Sequence, residues 1–193
     1  MLKKLLCAAL LAAGAASVHA EETTWQFTFR GFTDAATGVF APGVTLSGTF
    51  TGADNNGDGL IVREELSSFS TAGYTYLTPA GDGCAQAWNP YLRCEVGDFS
   101  YSLTGELEYS AHRWGNDEYE SGWYGNVRTG QYFDVGGYSP VSEHYQRYNW
   151  SDRTIFTITP APLPVPEPAA VLLLPAGLAV LLAARRRRAR IAL

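Results

Sequence analysis

Apolar and polar side chains alternate with a period of two along the central part of the chain, and no long apolar stripe at helical spacing interrupts them. A strand places successive side chains on opposite faces, so this alternation is typical of strands with one buried face. It is found in the segments 25–30, 44–50, 74–77, 99–109 and 154–159. Glycines in the same region provide residues for turns. We therefore predict an all-β fold, a single antiparallel β-sandwich or jelly-roll-like domain over residues 21–160.

Residues 1–20 have the composition of a secretory signal peptide. Lys3 and Lys4 precede an apolar run over 5–16, and Val18-His19-Ala20 ends the segment. A basic region, a short apolar region and a small-x-small cleavage site in this order direct a chain to export. We expect the Sec translocon to export the chain and signal peptidase to cleave it after Ala20.

The other end of the chain has the composition of a short membrane span. Residues 169–184 are apolar, and at about 1.5 Å per residue they reach about 24 Å, just short of a hydrocarbon core. Basic flanks stay in the cytoplasm, so the arginines of 185–193 predict a cytoplasmic stop after a transmembrane helix. Before the helix, 161–168 form a Pro-rich, extended spacer that ends in a sorting motif. The arginines of the stop are Arg185, Arg186, Arg187, Arg188 and Arg190.

Directly before the apolar run stand Val165, Pro166, Glu167 and Pro168. Pro-Glu-Pro, an apolar helix and a basic terminus in this order resemble the PEP-CTERM sorting signal of exported proteins in Gram-negative bacteria that make extracellular polysaccharide. The resemblance covers residues 165–193 and implies that a membrane-embedded exosortase recognises the motif and processes the tail. The tail also occurs on some ice-binding proteins, but as a shared address it does not imply ice binding. The alternative is a plain tail anchor that no protease cleaves.

The charges of the chain are divided unevenly between its ends and its centre. Residues 21–164 contain eighteen acidic residues and seven arginines, a net charge near −11, whereas the whole chain has −5. Phosphate contacts need clustered cations, so we expect no nucleic-acid partner. We expect a precursor tethered to the inner membrane with its domain in the periplasm, and then a protein at the cell surface or outside the cell.

Two cysteines, Cys84 and Cys94, lie in the predicted exported domain. An even pair in an exported chain predicts a disulfide, and closing a loop this short contributes about 2–3 kcal/mol by the loop-entropy estimate. The alternatives are two free thiols or a metal site on the two cysteines.

Residues 54–65 read Asp-Asn-Asn-Gly-Asp-Gly-Leu-Ile-Val-Arg-Glu-Glu and resemble the twelve-residue calcium loop of the EF-hand. Gly59 stands at position six, where the loop turns sharply. The resemblance implies a structural Ca²⁺ ion. Its implied ligands are the side chains of Asp54, Asn56, Asp58 and Glu65 and the backbone carbonyl of Leu60.

The flanks of this loop depart from the EF-hand. A predicted strand over 44–50 stands where the entering helix would be, and 63–69 form two helical turns at most. We therefore do not expect a calcium-dependent conformational switch. We expect the loop to act as a structural strut that bridges two β segments. The alternative is an unmetallated loop, because Asn-Gly and Asp-Gly also form good turns.

Residues 109–150 contain eleven aromatic residues, many of them beside Gly, Asn, Asp or Ser. Trp and Tyr on a β-sandwich can hold sugar rings, which makes Trp114 and Trp123 candidate glycan contacts for an extracellular polysaccharide. The same residues also fill cores well, because they bury a large apolar area. The core is the favoured interpretation.

Signals of catalysis are weak, and we expect no enzyme. His112 and His144 have acidic residues nearby in the sequence, but no nucleophile elbow, phosphate loop or cofactor motif is present. Glu106 and Glu108 would share a face of the predicted strand and could serve as a carboxylate pair for glycoside chemistry. The favoured interpretation is that they are solvated residues at the polar edge of a sheet. The favoured hypothesis is a non-catalytic, calcium-stabilised cell-surface or matrix protein. The alternatives are a carbohydrate-binding module and a small secreted hydrolase.

Overall fold

The computed structural model describes residues 21–84, 91–117 and 120–162. The predicted signal peptide, sorting motif, transmembrane helix and basic stop lie outside these residues. In the part of the chain that is described, no helix combines the length and the apolar composition needed to cross a membrane. One compact unit of the chain ends at Pro162.

The described part of the domain is built from twelve strands and a single 3-10 turn, Arg63–Glu65. All strand pairs are antiparallel, so the all-β antiparallel prediction is confirmed. The strands are β1 (Thr23–Asp34), β2 (Phe40–Gly52), β3 (Leu60–Val62), β4 (Leu66–Thr71), β5 (Tyr74–Thr78), β6 (Gly81–Asp82), β7 (Arg93–Ser102), β8 (Leu107–Asn116), β9 (Gly122–Arg128), β10 (Tyr132–Ser139), β11 (Ser142–Asn149) and β12 (Ile155–Thr159).

The strands form one continuous sheet that curls over its own core. Its order is β3-β7-β8-β9-β10-β11-β1-β2-β4-β5-β6, and β12 also pairs with β1. β1 pairs with β12 over Gln26–Arg30 but with β11 only at Thr33 and Asp34. This short junction divides the sheet into a first half, β12-β1-β2-β4-β5-β6, and a second half, β3 with β7–β11. A single sheet thus forms the two faces of a sandwich-like fold.

The alternation of apolar and polar side chains explains which face of β1, in the first half of the sheet, is buried. Trp25, Phe27 and Phe29 of β1 are buried, and the residues between them face away from the core. The register of β1 on β2 shifts between Arg30 and Phe32, which lets Phe32 return to the core. Each such aromatic side chain contributes about 1.5–3 kcal/mol by leaving water. These contributions fix which face of β1 is inside.

Aromatic contacts across the core hold the two halves of the sheet together. Phe50 of β2 packs edge-on against Phe99 and Tyr101 of β7, with ring centroids 5.2 and 5.1 Å apart. Phe27 packs against Tyr109 of β8 at 5.5 Å. Because β2 and β7 are far apart in the strand order, these contacts require the sheet to fold back on itself.

The segment 99–109, predicted as one strand, is a hairpin. β7 ends at Ser102 and β8 begins at Leu107. In the turn, Gly105 donates to the carbonyl of Ser102 at 2.8 Å and adopts φ +113°. Alternation continues on both sides of the turn, so periodicity alone did not locate it. The prediction that Glu106 and Glu108 share a strand face is therefore wrong, because Glu106 precedes β8.

The aromatic-rich segment forms the hairpins of β8 to β11, which the sequence analysis did not resolve into strands. Glycines occupy both faces of these strands and break the visible alternation; they are Gly115, Gly122, Gly125, Gly136 and Gly137. Rings of neighbouring strands cover several of them, as the Tyr124 ring covers Gly136. The aromatic residues thus serve both the core and the surface.

Cys84 and Cys94 are joined in a disulfide, with their Cα atoms 5.0 Å apart, as predicted. Cys94 lies in β7 and Cys84 follows β6. β6 is at one end of the strand order and β7 is next to the other end. The disulfide therefore links the two ends of the curled sheet.

Candidate functional site

The predicted calcium loop connects β2 to β3 at the surface. Gly59 has φ +83°, the left-handed conformation that a loop glycine supplies at position six. Both carboxylate oxygens of Asp54 accept backbone hydrogen bonds: Oδ1 from Gly57 at 2.8 Å and from Asp58 at 3.1 Å, and Oδ2 from Gly59 at 2.9 Å. Asp54 thereby organises the turn from its first residue.

The other predicted ligands take part in the same loop. The side chain of Asn56 donates to Asp58 Oδ2 at 2.9 Å, and Leu60 begins β3. Glu65 reaches back across the loop, where its oxygens accept from the backbone of Asn55 at 2.9 Å and of Val62 at 3.2 Å. The last predicted ligand is thus folded toward the start of the loop. Within the described residues, no group of three or more His, Cys, Asp or Glu side chains is arranged to hold a metal ion.

The flanks of the loop follow the sequence prediction. Strand β2 precedes it, and its last three residues, Arg63–Glu65, form one 3-10 turn that leads directly into β4. β3 leaves the first half of the sheet to pair with β7, Leu60 opposite Ser102, whereas β4 returns to pair with β2. The loop therefore spans the point where the chain crosses between the two halves of the sheet.

Trp114 and Trp123 lie on opposite faces of the second half of the sheet. Directly opposed residues share a face, and Trp114 opposes Tyr124 whereas Trp123 opposes Gly115. Trp114 is on the outer face and 41% exposed. Trp123 is half-buried on the inner face. The two predicted glycan contacts therefore cannot serve one binding site.

The outer face carries a row of hydrogen-bonded polar residues that the sequence analysis missed. The ring of His112 bonds the amide oxygen of Asn126, and the amide nitrogen of Asn126 donates to Asp134 Oδ1 at 2.7 Å. Asp134 is buried, and its Oδ2 accepts from Arg147 at 2.9 Å and from the Tyr145 hydroxyl at 3.2 Å. The hydrogen bond to Asp134 raises the pKa of Arg147. These residues are far apart in the sequence, and predicting that they form a row requires the strand registers of the three hairpins that join β8 to β11.

A row of aromatic residues runs beside this polar row on the same face, two residues away along each strand. Trp114, Tyr124 and Tyr145 share the outer face, with Gly136 between the two tyrosines. The rings are occupied by neighbours: Trp114 stacks on His112 at 4.7 Å and Tyr124 on Tyr145 at 6.3 Å. Burial and the carboxylate of Asp134 raise the pKa of Tyr145.

A cleft opens at the ends of strands β9 to β11, where residues of both faces of the sheet line it. Its volume is about 440 Å³, within the range of about 300–1,000 Å³ that is usual for ligand pockets. We call it the end cleft. The residues that line it include Tyr74, Ser121, Trp123, Ser139, Ser142 and His144.

A buried arginine holds one wall of the end cleft. Arg113 is only 7% exposed, and its guanidinium lies 4.0 Å from the centre of the Tyr74 ring. No carboxylate of the described residues is within ion-pair distance of it. A cation over an aromatic face gains about 2 kcal/mol or more when it is desolvated. Arg113 thus fixes Tyr74 in place at the cleft.

The groups considered for catalysis are not brought together. His144 and Glu143 are successive strand residues and point to opposite faces. Glu108 lies on the outer face beside a groove of about 270 Å³ that Asp98 and Arg128 also line.

Comparison with known proteins finds no matching family model, no matching curated protein and no matching solved structure.

Proposed function

We propose that this chain is an exported, exosortase-sorted protein of the cell surface or extracellular matrix, without catalytic activity. The observation that carries the proposal is the order of the chain. A signal-peptide sequence precedes one disulfide-bearing β domain, and a Pro-Glu-Pro motif, an apolar segment and a run of arginines follow it. The sorting machinery would act on the motif at Pro166, Glu167 and Pro168, and the domain would be its cargo.

Cell fractionation with intact-mass measurement tests this order of events. We expect the released protein to start at Glu21 and to lack the apolar tail. The variant Glu167→Ala should remain in the membrane with its tail, because the motif is altered. The control Glu143→Ala changes an exposed acid of the domain and should be processed as the wild type. Full-length protein with an intact tail in every fraction would contradict the proposal.

Calcium stabilisation of the loop over 54–65 is part of the same proposal. Ca²⁺ takes six to eight oxygen ligands, and the loop offers three carboxylates, one amide and a backbone carbonyl. The turn at Gly59 and the return of Glu65 toward Asn55 fit such a loop. The ion would neutralise the clustered carboxylates and tie β2 to β3. The ligands would be Asp54, Asn56, Asp58, Leu60 and Glu65.

Calorimetry with Ca²⁺ tests the loop, and urea denaturation with and without Ca²⁺ tests its structural effect. We expect a dissociation constant of about 10⁻⁴–10⁻³ M, as in extracellular modules, and a gain of about 1–3 kcal/mol in unfolding free energy at ~10 mM calcium. Asp54→Ala and Glu65→Ala should abolish both effects, and Asp152→Ala should preserve them. Wild-type protein that is equally stable with and without calcium would refute the loop's role.

Carbohydrate binding is the second candidate function. The observation in its favour is that the aromatic residues of 109–150 do not all enter the core. Trp114, Tyr138 and Tyr145 are 41%, 48% and 52% exposed, and Trp123 lines the end cleft. Exposed Trp and Tyr offer an apolar ring together with a polar group, which suits a ligand of mixed character. A protein delivered into a polysaccharide layer would meet such ligands there.

A further inference from the structure

Trp123, one of the residues that line the end cleft, is packed on a glycine. Trp123 lies between Gly115 and Gly137 in one cross-strand row of the inner face. A Cβ at Gly115 would stand 2.9–3.0 Å from the indole atoms Nε1, Cε2 and Cζ2. Three nearly equal distances show that the indole lies flat on the glycine backbone. One face of the ring is therefore covered by Gly115, and the half-buried Trp123 side chain lines the cleft.

Tyr74, a second aromatic residue of the cleft lining, is also held by a neighbouring side chain. Tyr74 belongs to β5 of the first half of the sheet, and Arg113 of β8 holds it through the contact at 4.0 Å. Strands from both halves of the sheet therefore contribute a ring to the cleft. Because Arg113 is buried beneath Tyr74, this wall is preorganised for a ligand rather than formed by it.

The rest of the cleft lining consists of Tyr138, whose ring lies over Gly122, and of short polar groups. Ser139 and Ser142 lie at the turn between β10 and β11, with their hydroxyl oxygens 2.9 Å apart. His144 lies over Gly137, and Ser121 closes the other side of the cleft. Hydroxyl groups can donate and accept hydrogen bonds, and so can a neutral imidazole. They match the hydroxyl groups of a sugar ring, whose C–H face would contact the indole.

The absence of charged side chains from the described lining of the cleft bears on which sugars it would bind. None of the described residues that line it is Asp, Glu, Lys or Arg. The domain around it has a net charge near −11, so a polyanionic ligand would be repelled. An aromatic, hydroxyl-bearing, uncharged cleft in an acidic domain favours a ligand without charge.

From these observations we propose that the end cleft binds an uncharged hexopyranose segment of a polysaccharide, with Trp123 as the stacking platform. The proposal rests on carbohydrate binding as the second candidate function and names its site and ligand class. The outer aromatic row is the less suitable surface, because Trp114 is stacked on His112 and the Tyr145 hydroxyl is bonded to Asp134. The end cleft instead has open volume beside its ring.

The test measures oligosaccharide binding by the full-length chain in lipid nanodiscs, which avoids sugar-based detergents. The probes are neutral hexamers of glucose, mannose and galactose, with an oligouronate of equal length for comparison. Calorimetry should detect binding of at least one neutral hexamer. We expect Trp123→Ala to raise its dissociation constant by about tenfold or more, and Trp123→Phe to raise it less. Trp114→Ala, the matched control on the outer face, should leave it unchanged.

A second variant keeps the test independent of folding defects at Trp123. Ser142→Tyr places a bulky side chain at the exposed mouth of the cleft, away from the core, and should also abolish binding. Loss of binding in Trp114→Ala alone would overturn the cleft but keep carbohydrate binding. Preference for the oligouronate would overturn the uncharged ligand. If no neutral hexamer binds the wild type, both the cleft and the second candidate function are wrong, whereas the sorting proposal is judged separately by fractionation.

Discussion

Three tyrosines, Tyr76, Tyr101 and Tyr109, are buried in the core, and the hydroxyls of Tyr109 and Tyr76 have different environments. The Tyr109 hydroxyl pairs with Thr71 Oγ1 at 2.9 Å. Tyr76 is 1% exposed and lies close to Arg113. Burial raises the pKa of Tyr76 to about 12, with the nearby cation acting in the opposite direction. Burial also raises the pKa of Tyr109. Both hydroxyls therefore stay protonated in the folded protein at pH values where the unfolded chain would begin to ionise.

The free energy of unfolding should fall at alkaline pH for this reason. A raised tyrosine pKa leaves stability intact below the unfolded value near 10 and removes it as pH rises through 10 toward 12. Each buried tyrosine should contribute a slope of about −1.4 kcal/mol per pH unit there. Urea denaturation between pH 9 and pH 11 measures the slope. Tyr109→Phe should make it shallower, and the exposed Tyr138→Phe should not. Equal slopes for both variants would contradict this account.

At the scale of elements, the row from His112 to Arg147 ties together four strands, β8 to β11. Its central member, Asp134, lies on β10 and bonds Asn126 on β9 and Arg147 on β11. A buried carboxylate is tolerated only when its oxygens are satisfied, and here both oxygens accept hydrogen bonds. Arg147 also lies 4.0 Å from the centre of the Tyr132 ring on β10. The outer face is thus held by polar contacts, as the inner face is by apolar ones.

Removal of this carboxylate should loosen the whole hairpin array. We expect Asp134→Ala to lower the free energy of unfolding by about 2–4 kcal/mol, because Asn126, Tyr145 and Arg147 lose their acceptor. Urea denaturation monitored by circular dichroism measures the change. The control Asp152→Ala removes an exposed carboxylate and should stay within about 0.5 kcal/mol of the wild type. A loss below 1 kcal/mol for Asp134→Ala would mean that the polar row does not stabilise the sheet.

At the scale of the whole molecule, the disulfide and the loop over 54–65 lie at separate points of the curled sheet. The disulfide joins β7 to the chain after β6, and these strands lie near opposite ends of the strand order. The loop over 54–65 lies where the chain crosses from β2 to β3, between the two halves of the sheet.

Loss of the disulfide should therefore lower global stability. We expect the double variant Cys84→Ser, Cys94→Ala to lose about 2–3 kcal/mol in urea denaturation, since the unfolded chain is no longer constrained. A reducing agent should destabilise the wild type by a similar amount and leave the double variant unchanged. A reducing agent that acts equally on the double variant would show that its effect does not come from this bond.

The parts of the fold that are determined by residues close together in the sequence could be predicted. Trp25, Phe27 and Phe29 indicate a strand with one buried face, and the structure buries all three. Residues 44–50 likewise lie within β2. The hairpins of β8 to β11 were not resolved, because glycines there replace side chains that would mark one face. The turn at Gly105 was missed for the opposite reason, since alternation continues through it.

The sequence by itself determined the strand faces of β1 and β2, the turn-forming loop over 54–65 and the pairing of Cys84 with Cys94. Only the tertiary structure decided that Trp114 and Trp123 face opposite ways, that Asp134 is buried on an outer face, and that Tyr74 and Trp123 line one cleft. The physical reason is the range of the interactions. Periodicity and turn chemistry act between residues close along the chain, whereas register and burial depend on partners that only folding brings together.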